Sequence, residues 1–390
     1  MKKVLFYNGQ LFMGGIERVT ISYLEGLSKE MDLNMTFVIK ENDPEKNIFI
    51  KDVPSNIKIE FIKTEKMVNF RNKVSNKRKN PFWRIIYFFM LNYERIYMKK
   101  WLKNYFLKNK FDVTIDFDMS LGKYLDVVDS KKIGWLHFSL IGKRKNKRKG
   151  KRFEKRLEKY DKIIAICDEM KEEAKNLFNV PKEKLERLYN PFDIEKVKRE
   201  MLNETEVTEE DKKYLQEDYM VAVSRLVKGK GREDLIEIYS KLKEKGVKEK
   251  LYILGDGNQK QVLQNEIEKL NLQNDVFLLG QKKNPYPWMK NAKIFLHTSY
   301  GEGLPTVFLE SMICGTPVIA YDCPTGPKDI LGKNEYGVLV KTGDKAKFEE
   351  EIIKLLLNTD KQQEYIDKFF KEKLSEFSIE TIIKKLKEIL

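Results

Sequence analysis

Histidine and cysteine are scarce in this chain, two of the first and three of the second in 390 residues. Cys167, Cys314 and Cys323 form an odd, widely spaced set without paired metal-ligand spacing, which suits a reducing cytosol better than export. Long apolar runs are also missing. The best candidate, Ile85–Leu91, follows Arg84 and falls far short of the roughly 20 apolar residues needed to cross a bilayer. The opening MKKVLFYNGQLFMGG is too short in apolar residues for a signal peptide and reads as a first strand. No G-x-G-x-x-G follows that strand, so a nicotinamide enzyme is not supported. Flexible linkers and internal repeats are lacking too. Acids are in deficit, 60 Asp and Glu against 75 Lys and Arg. The formal charge of +15 favours anionic partners: phosphates, nucleic acid or acidic lipid. The basic stretches carry no interleaved stacking aromatics, so nucleic acid is not expected as a partner.

What is present is enough for cores, with 41% hydrophobic and 12% aromatic residues. Short apolar runs alternate with helical periodicity, the pattern of doubly wound α/β domains. In the first half, strands are expected at Val4–Tyr7, Met35–Lys40, Ile57–Lys63, Val113–Phe117, Ile133–Phe138, Lys162–Cys167 and Leu185–Tyr189. Gly9, Gly14 and Gly15 lie in the turn after the first strand, where glycine lets backbone approach a ligand, although a plain tight turn accounts for them equally well. Met67–Pro81 is polar and basic. Phe82–Leu107 reads as a helix with Phe82, Ile86, Phe89, Tyr93, Tyr97, Trp101 and Tyr105 at three- and four-residue steps. That stripe is expected to be core, packed on the strand that follows, with a basic amphipathic membrane helix as the alternative. Asp116-Phe117-Asp118 imitates a D-x-D metal site but reads as a strand end, and no required metal is expected. His137 closes a strand. After it, Lys143, Arg144, Lys145, Lys147, Arg148, Lys149, Lys151 and Arg152 form a basic loop, facing either acceptor phosphate or anionic lipid. The turn at Asn190-Pro191-Phe192-Asp193 sets expected domains of 1–190 and 191–375, with a terminal helix over 376–390.

The second half concentrates the chemistry. Strands are expected at Tyr219–Val223, Leu251–Gly255, Val276–Gly280, Ala292–His297, Val318–Tyr321 and Gly337–Lys341. After the first comes SRLVKGKG, placing Arg225 and Lys230 where basic groups and tight backbone suit a diphosphate. Lys228 and Arg232 are less securely placed. After the fourth strand comes HTSYGEGLPTVFLESMICGTPVIA, a strand, loop, helix and strand. A loop opening a helix at a parallel strand's C-terminal end favours phosphate through its N–H groups and dipole, and Pro305 suits the first helical turn. Glu302 and Glu310 flank that helix start. Carboxylates beside a phosphate repel it, so they are suited to gripping hydroxyls on either side; the plain reading is a loop charge and a surface helix charge.

EGLPTVFLE, followed by CGTPVIAYDCPTGPKDIL, resembles the E-x7-E segment of retaining glycosyltransferases of the GT-B-fold class called family 4, in the bacterial surface-glycan type. SRLVKGKG is similar to that family's R-x4-K-G element. The resemblance spans most of the chain and is strongest from Met220 to Leu331. It implies a GT-B fold: two Rossmann-like domains facing a cleft, with the acceptor on the first and a nucleotide diphosphate sugar on the second. It implies that Glu302 contacts the donor sugar, Glu310 the ribose, and Arg225 and Lys230 the pyrophosphate. It places Gly303, Leu304, Pro305 and Thr306 at the phosphate seat, His137 beside the donor sugar, Gly14 and Gly15 on the diphosphate and acceptor side, and base contacts in Asn284–Lys290. His297 is expected as a support residue. The implied reaction is metal-independent and cofactor-free retaining transfer of a hexose or N-acetylhexosamine, from a UDP-sugar by preference, to a glycan or lipid-linked acceptor. The expected place is the cytoplasm, peripherally on the inner face of the cell membrane. A sugar-nucleotide epimerase or hydrolase of the same fold is the alternative, and a basic nucleic-acid-binding protein a more distant one.

Overall fold

The computed structural model describes every residue except Met13 and Lys145, so that one member of the basic run lies outside the described residues. The chain divides into two compact units. Unit 1 comprises Met1–Ile166, Met170–Pro191 and Ile379–Leu390; unit 2 comprises Cys167–Glu169 and Phe192–Ser378.

Unit 1 is built on β1 (Lys2–Asn8), β2 (Leu33–Glu41), β3 (Lys58–Lys63), β4 (Val113–Asp116), β5 (Lys131–Leu136), β6 (Lys162–Ala165) and β7 (Leu185–Arg187). Their order is β3-β2-β1-β4-β5-β6-β7, parallel throughout. Continuous apolar runs such as Val4–Tyr7 are buried on both faces, as a sheet covered by helices on both sides requires. Unit 2 carries β8 (Tyr219–Val223), β9 (Lys250–Leu254), β10 (Val276–Gly280), β11 (Ile294–His297), β12 (Val318–Asp322) and β13 (Val338–Lys341), in the order β10-β9-β8-β11-β12-β13, again parallel. Its core joins Met220, Ile253, Leu296 and Ile319 from the strands to Leu235, Ile267 and Phe348 from the helices. In each sheet the strand order reverses beside the unit's first strand, between β1 and β4 and between β8 and β11. Ligands of open parallel sheets bind beyond the carboxyl ends at such a reversal.

The terminal helix Ile379–Ile389 belongs to unit 1. It lies so close on the helix Gly15–Leu27 that a Cβ at Gly26 would stand 2.5 Å from Ile383. Lys387 pairs with Asp32 at 2.9 Å, and Lys131 donates to the Ile389 carbonyl at 2.6 Å.

The polar, basic stretch after Met67 is largely helix, Glu65–Asn76, started by Thr64, whose hydroxyl accepts from Met67 N–H. Two expectations in unit 1 need correction. The basic run is not a loop. Asn146 caps a helix Lys147–Leu157, and Gly150, Phe153 and Leu157 hold one face down while the charges stay outside. The long helix, Pro81–Lys108, does not bury the aromatic stripe. Its buried face is Glu94, Met98, Leu102 and Phe106, whereas Phe82, Phe89 and Tyr93 are 63%, 66% and 61% exposed. The reason is polar. Lys63 of β3 reaches Glu94 at 2.5 Å, and Arg71 holds Glu41 in the same buried cluster, so the helix turns a carboxylate inward where hydrophobicity alone would have turned a ring.

Candidate active site

In unit 2 the reversal of strand order brings together the loops after β8 and β11. The two are laced by backbone. Tyr300 N–H donates to Gly229 O at 2.9 Å, and the Thr298 hydroxyl donates to Gly231 O at 2.6 Å. Gly231 has φ +61° and lies so near that a Cβ would stand 1.9 Å from the Thr298 carbonyl oxygen, so only glycine fits. From the other side, Leu226 N–H donates to Asp256 O at 2.8 Å, and a Cβ at Gly255 would stand 1.8 Å from Ser224 O. Arg225 and Lys230 thus ride on a loop pinned at both ends.

Glu302 is the centre of charge. Its Oε1 accepts from Lys230 Nζ at 2.6 Å and lies 2.8 Å from His297 Nε2. Burial works against its ionisation, yet the His297 bond and the Lys230 charge prevail and hold the carboxyl down at about 2. Burial also lowers His297, to about 4, against the pull of Glu302. Above that pH the ring is neutral, its Nε2–H donates to Glu302, and Lys230 supplies the balancing charge. The His297 Nδ1 is buried without a partner among the described residues.

Behind this pair lies Arg232, 1% exposed. Its Nε donates to Ser224 Oγ at 3.0 Å, while both terminal nitrogens are buried without a partner among the described residues. Burial lowers its pKa to about 10, with Glu302 acting in the opposite sense. An unpartnered buried guanidinium is costly unless a ligand or ordered water meets it. The Arg225 guanidinium is exposed and makes no hydrogen bond or ion pair among the described residues.

The helix Thr306–Ile313 begins a few residues after Glu302 with no side-chain cap, so the positive end of its dipole is left without a side-chain acceptor. Pro305 is its N-cap rather than a first-turn residue. Gly303 and Leu304 complete the approach. Glu310 is half-buried one turn into the helix. The loop after β12 supports the seat. Thr325 hydrogen-bonds the Glu302 carbonyl, and its φ of +67° is a strained conformation for a β-branched residue. In the stretch Asn284–Lys290, expected as a loop, Tyr286–Lys290 is a short helix with Pro287, Trp288 and Met289 buried, and Asn284 ties down the Glu200 and Asn203 carbonyls.

The remaining candidates belong to unit 1. His137 follows β5, packs edge-on against Phe117 and is held to about 4 by burial. Its Nε2 lies 2.7 Å from the Phe117 carbonyl, which can only accept, so Nε2 carries the proton. Nδ1 is then an acceptor. Gly14 is the extended N-cap of the helix Gly15–Leu27, and a Cβ at Gly15 would meet nothing within 4 Å, so the chain itself gives no steric reason for glycine there. Asp116 and Asp118 are committed to the fold. Asp116 accepts from Tyr160 at 2.5 Å, and Asp118 accepts from Gly9 N–H at 3.0 Å. Among the described residues no three His, Cys, Asp or Glu side chains gather as a metal site.

Several supporting groups escape sequence reasoning. Asp234 accepts from the hydroxyls of Tyr300, at 2.5 Å, and Tyr321, at 3.0 Å, and so anchors the loop that carries Glu302. No spacing announces partners this far apart along the chain. For Arg232 the only signal is its nearness to Lys230.

Two Rossmann-like parallel-sheet units, each with its strand order reversed beside the first strand, define the GT-B class of α/β fold. The comparison with solved structures agrees: an Anabaena protein, HepE, crystallised with UDP, superposes with a TM-score of 0.76 at 16% identity, covering 100% of this chain and 99% of that one. Residues 203–372, which hold the loops just described, match the family model described as glycosyl transferases group 1. An uncharacterized glycosyltransferase of Methanocaldococcus jannaschii is 32% identical over 260 residues, 59% of this chain and 63% of that protein. The N-acetylgalactosamine-N,N'-diacetylbacillosaminyl-diphospho-undecaprenol 4-alpha-N-acetylgalactosaminyltransferase of Campylobacter jejuni is 34% identical over 170 residues, 44% of each chain. The matches thus span less than two thirds of these relatives' lengths.

Proposed function

We propose that this protein is a retaining glycosyltransferase of surface polysaccharide assembly. It moves a hexose or N-acetylhexosamine from a nucleotide diphosphate sugar, UDP-linked by preference, to a lipid-linked or cell-surface glycan acceptor. One observation carries the reading. Two cations, Lys230 and Arg232, act on one half-buried carboxylate, Glu302, at the strand-order reversal of unit 2, with Arg225 on the same loop as Lys230 and an uncapped helix start just after Glu302. That arrangement suits a ligand with an anionic middle and hydroxyl-bearing flanks.

In the transfer the bond from the sugar's anomeric carbon to the diphosphate oxygen breaks, and its electron pair leaves with the nucleoside diphosphate. The acceptor oxygen bonds the same carbon, and its proton passes to a diphosphate oxygen on the same face. No side chain supplies a covalent nucleophile. Arg225, Lys230, Arg232 and the Gly303–Thr306 N–H groups hold the charge growing on the leaving group, each essential donor contributing on the order of 3 kcal/mol. Glu302 grips a sugar hydroxyl and Glu310 the ribose. His137, neutral and oriented by Phe117, positions the sugar through Nδ1. On this reading the cations do the work of a metal ion.

The reading is tested by supplying a panel of nucleotide sugars with membrane extract as acceptor. Product with the donor's anomeric configuration supports it. Inverted product refutes retention. Free sugar released with no acceptor dependence would favour a hydrolase or epimerase of this fold.

A further inference from the structure

The exposed face of Pro81–Lys108 has two halves. Phe82, Ile85, Phe89, Tyr93 and Ile96 are all more than half exposed. At 3.6 residues per turn they fall within about 100° of circumference, opposite the buried stripe. Continuing along the same arc, the helix presents Lys100 and Lys103, with Lys99 beside them. There it borders a hollow lined by Arg95, Lys99, Lys103, Lys123 and Lys159, with one acid, Asp126, paired to Lys99 at 2.7 Å. A second hollow shares Arg95, Lys123 and Lys159 and adds Arg152, Lys155 and Arg156 from the helix Lys147–Leu157. The crowding is felt by Lys123, whose pKa is lowered by burial and then by Arg156, Arg95, Lys40 and Arg152.

We infer that this face of unit 1 docks on an anionic lipid bilayer, the aromatic half entering the acyl boundary and the lysine half with its hollows taking lipid phosphates. Charge complementarity selects the occupant. A soluble polyanion would satisfy the lysines but leave Phe82, Ile85 and Phe89 in water. A second copy would bring equal positive charge against the lysines. A bilayer with acidic headgroups offers both chemistries in the same order along one helix. Among the described residues no helix is long and apolar enough to cross a membrane, so this docking is at the interface.

The test is cosedimentation of the whole protein with vesicles of phosphatidylcholine alone, or mixed with phosphatidylglycerol, and it needs no sugar donor, so it stands apart from the proposed transfer. Binding is expected to the mixed vesicles, to weaken with salt, and to be marginal on phosphatidylcholine alone. The triple variant Ile85→Ser, Phe89→Ser and Ile96→Ser should lower affinity about tenfold per side chain removed. Lys99→Gln with Lys103→Gln should lower it about fivefold per lysine. These groups are exposed, so unchanged thermal melting confirms folding. The proposal is overturned if mixed vesicles are not bound, or if the triple serine variant binds them as well as the parent, the signature of a site for soluble polyanions. It is equally overturned if the protein is a dimer that the serine variant splits without loss of vesicle binding.

Discussion

Lys230 and Arg232 are two cations near one carboxylate, and their different surroundings predict different outcomes on substitution. Lys230 is paired, so Lys230→Ala leaves Glu302 with a neutral imidazole alone. Transfer should fall about a hundred- to thousandfold, and steady-state kinetics on a soluble donor measures it. Arg232 has two unpaired buried nitrogens, so Arg232→Met should raise the melting temperature, relieving on the order of 1–3 kcal/mol. The same change should weaken UDP binding at least several-fold by calorimetry. A variant that is both less stable and unchanged in UDP binding would remove Arg232 from the site. The two histidines set a pH dependence. Both folded-state pKa values are lowered, from the usual 6.5 to about 4. Between those values the unfolded chain binds more protons, so stability is full above about 6.5 and is lost as pH falls toward 4. Urea unfolding at pH 7 and pH 5 should show the drop, and His137→Gln should flatten part of it. Glu302 acts lower still: its contribution is present above the ordinary carboxylate range and lost as pH falls toward about 2.

At the scale of elements, the β8 and β11 loops behave as one piece because backbone touches backbone. Gly231→Ala forces a methyl into the Thr298 carbonyl and a left-handed conformation onto a side chain, the latter alone costing about 1–2 kcal/mol. A clear fall in melting temperature together with loss of donor binding is expected, whereas Gly15→Ala, which meets nothing, should keep the fold. The strands were legible in the sequence because short apolar runs between glycine turns have few other fates. The placing of Arg225, Lys230 and Glu302 on loops at strand ends was legible because each sits inside a compact motif. The face of Pro81–Lys108 was not. Its rings repeat at helical steps whether they face core or solvent, and the decision rests with Glu94 and Lys63, whose pairing leaves no local trace. The helix Lys147–Leu157 was hidden for a related reason: three apolar or small residues among eight charges anchor it, and charge density masks so sparse a stripe.

At the scale of the molecule, the chain returns to unit 1 at its end. Ile382, Ile383 and Leu386 are buried there, each contributing about 1.5–3 kcal/mol. Truncation after Ser378 should therefore destabilise unit 1 by several kcal/mol, while the unit 2 core, which uses none of these residues, keeps its packing. Hydrogen exchange resolved by segment would separate the two outcomes. Asp234 with Tyr300, like Arg232 with Ser224, shows why the inner scaffolding of the site is invisible along the chain: these bonds exist only once two strands lie side by side.

The Lys230–Glu302 pair has one more consequence. An unliganded domain with a bare ammonium there would collect whatever phosphate or sulfate drifted past; instead the resting protein holds a counter-ion of its own. On the proposed reading, an arriving diphosphate draws Lys230 away from that carboxylate, which must then find a hydroxyl or keep the neutral His297 ring as its one remaining partner. A nucleotide stripped of its sugar draws Lys230 away and offers nothing in return. Spent donor should accordingly be held less firmly than fresh donor, and the protein rids itself of product by the same contact that keeps it quiet when idle.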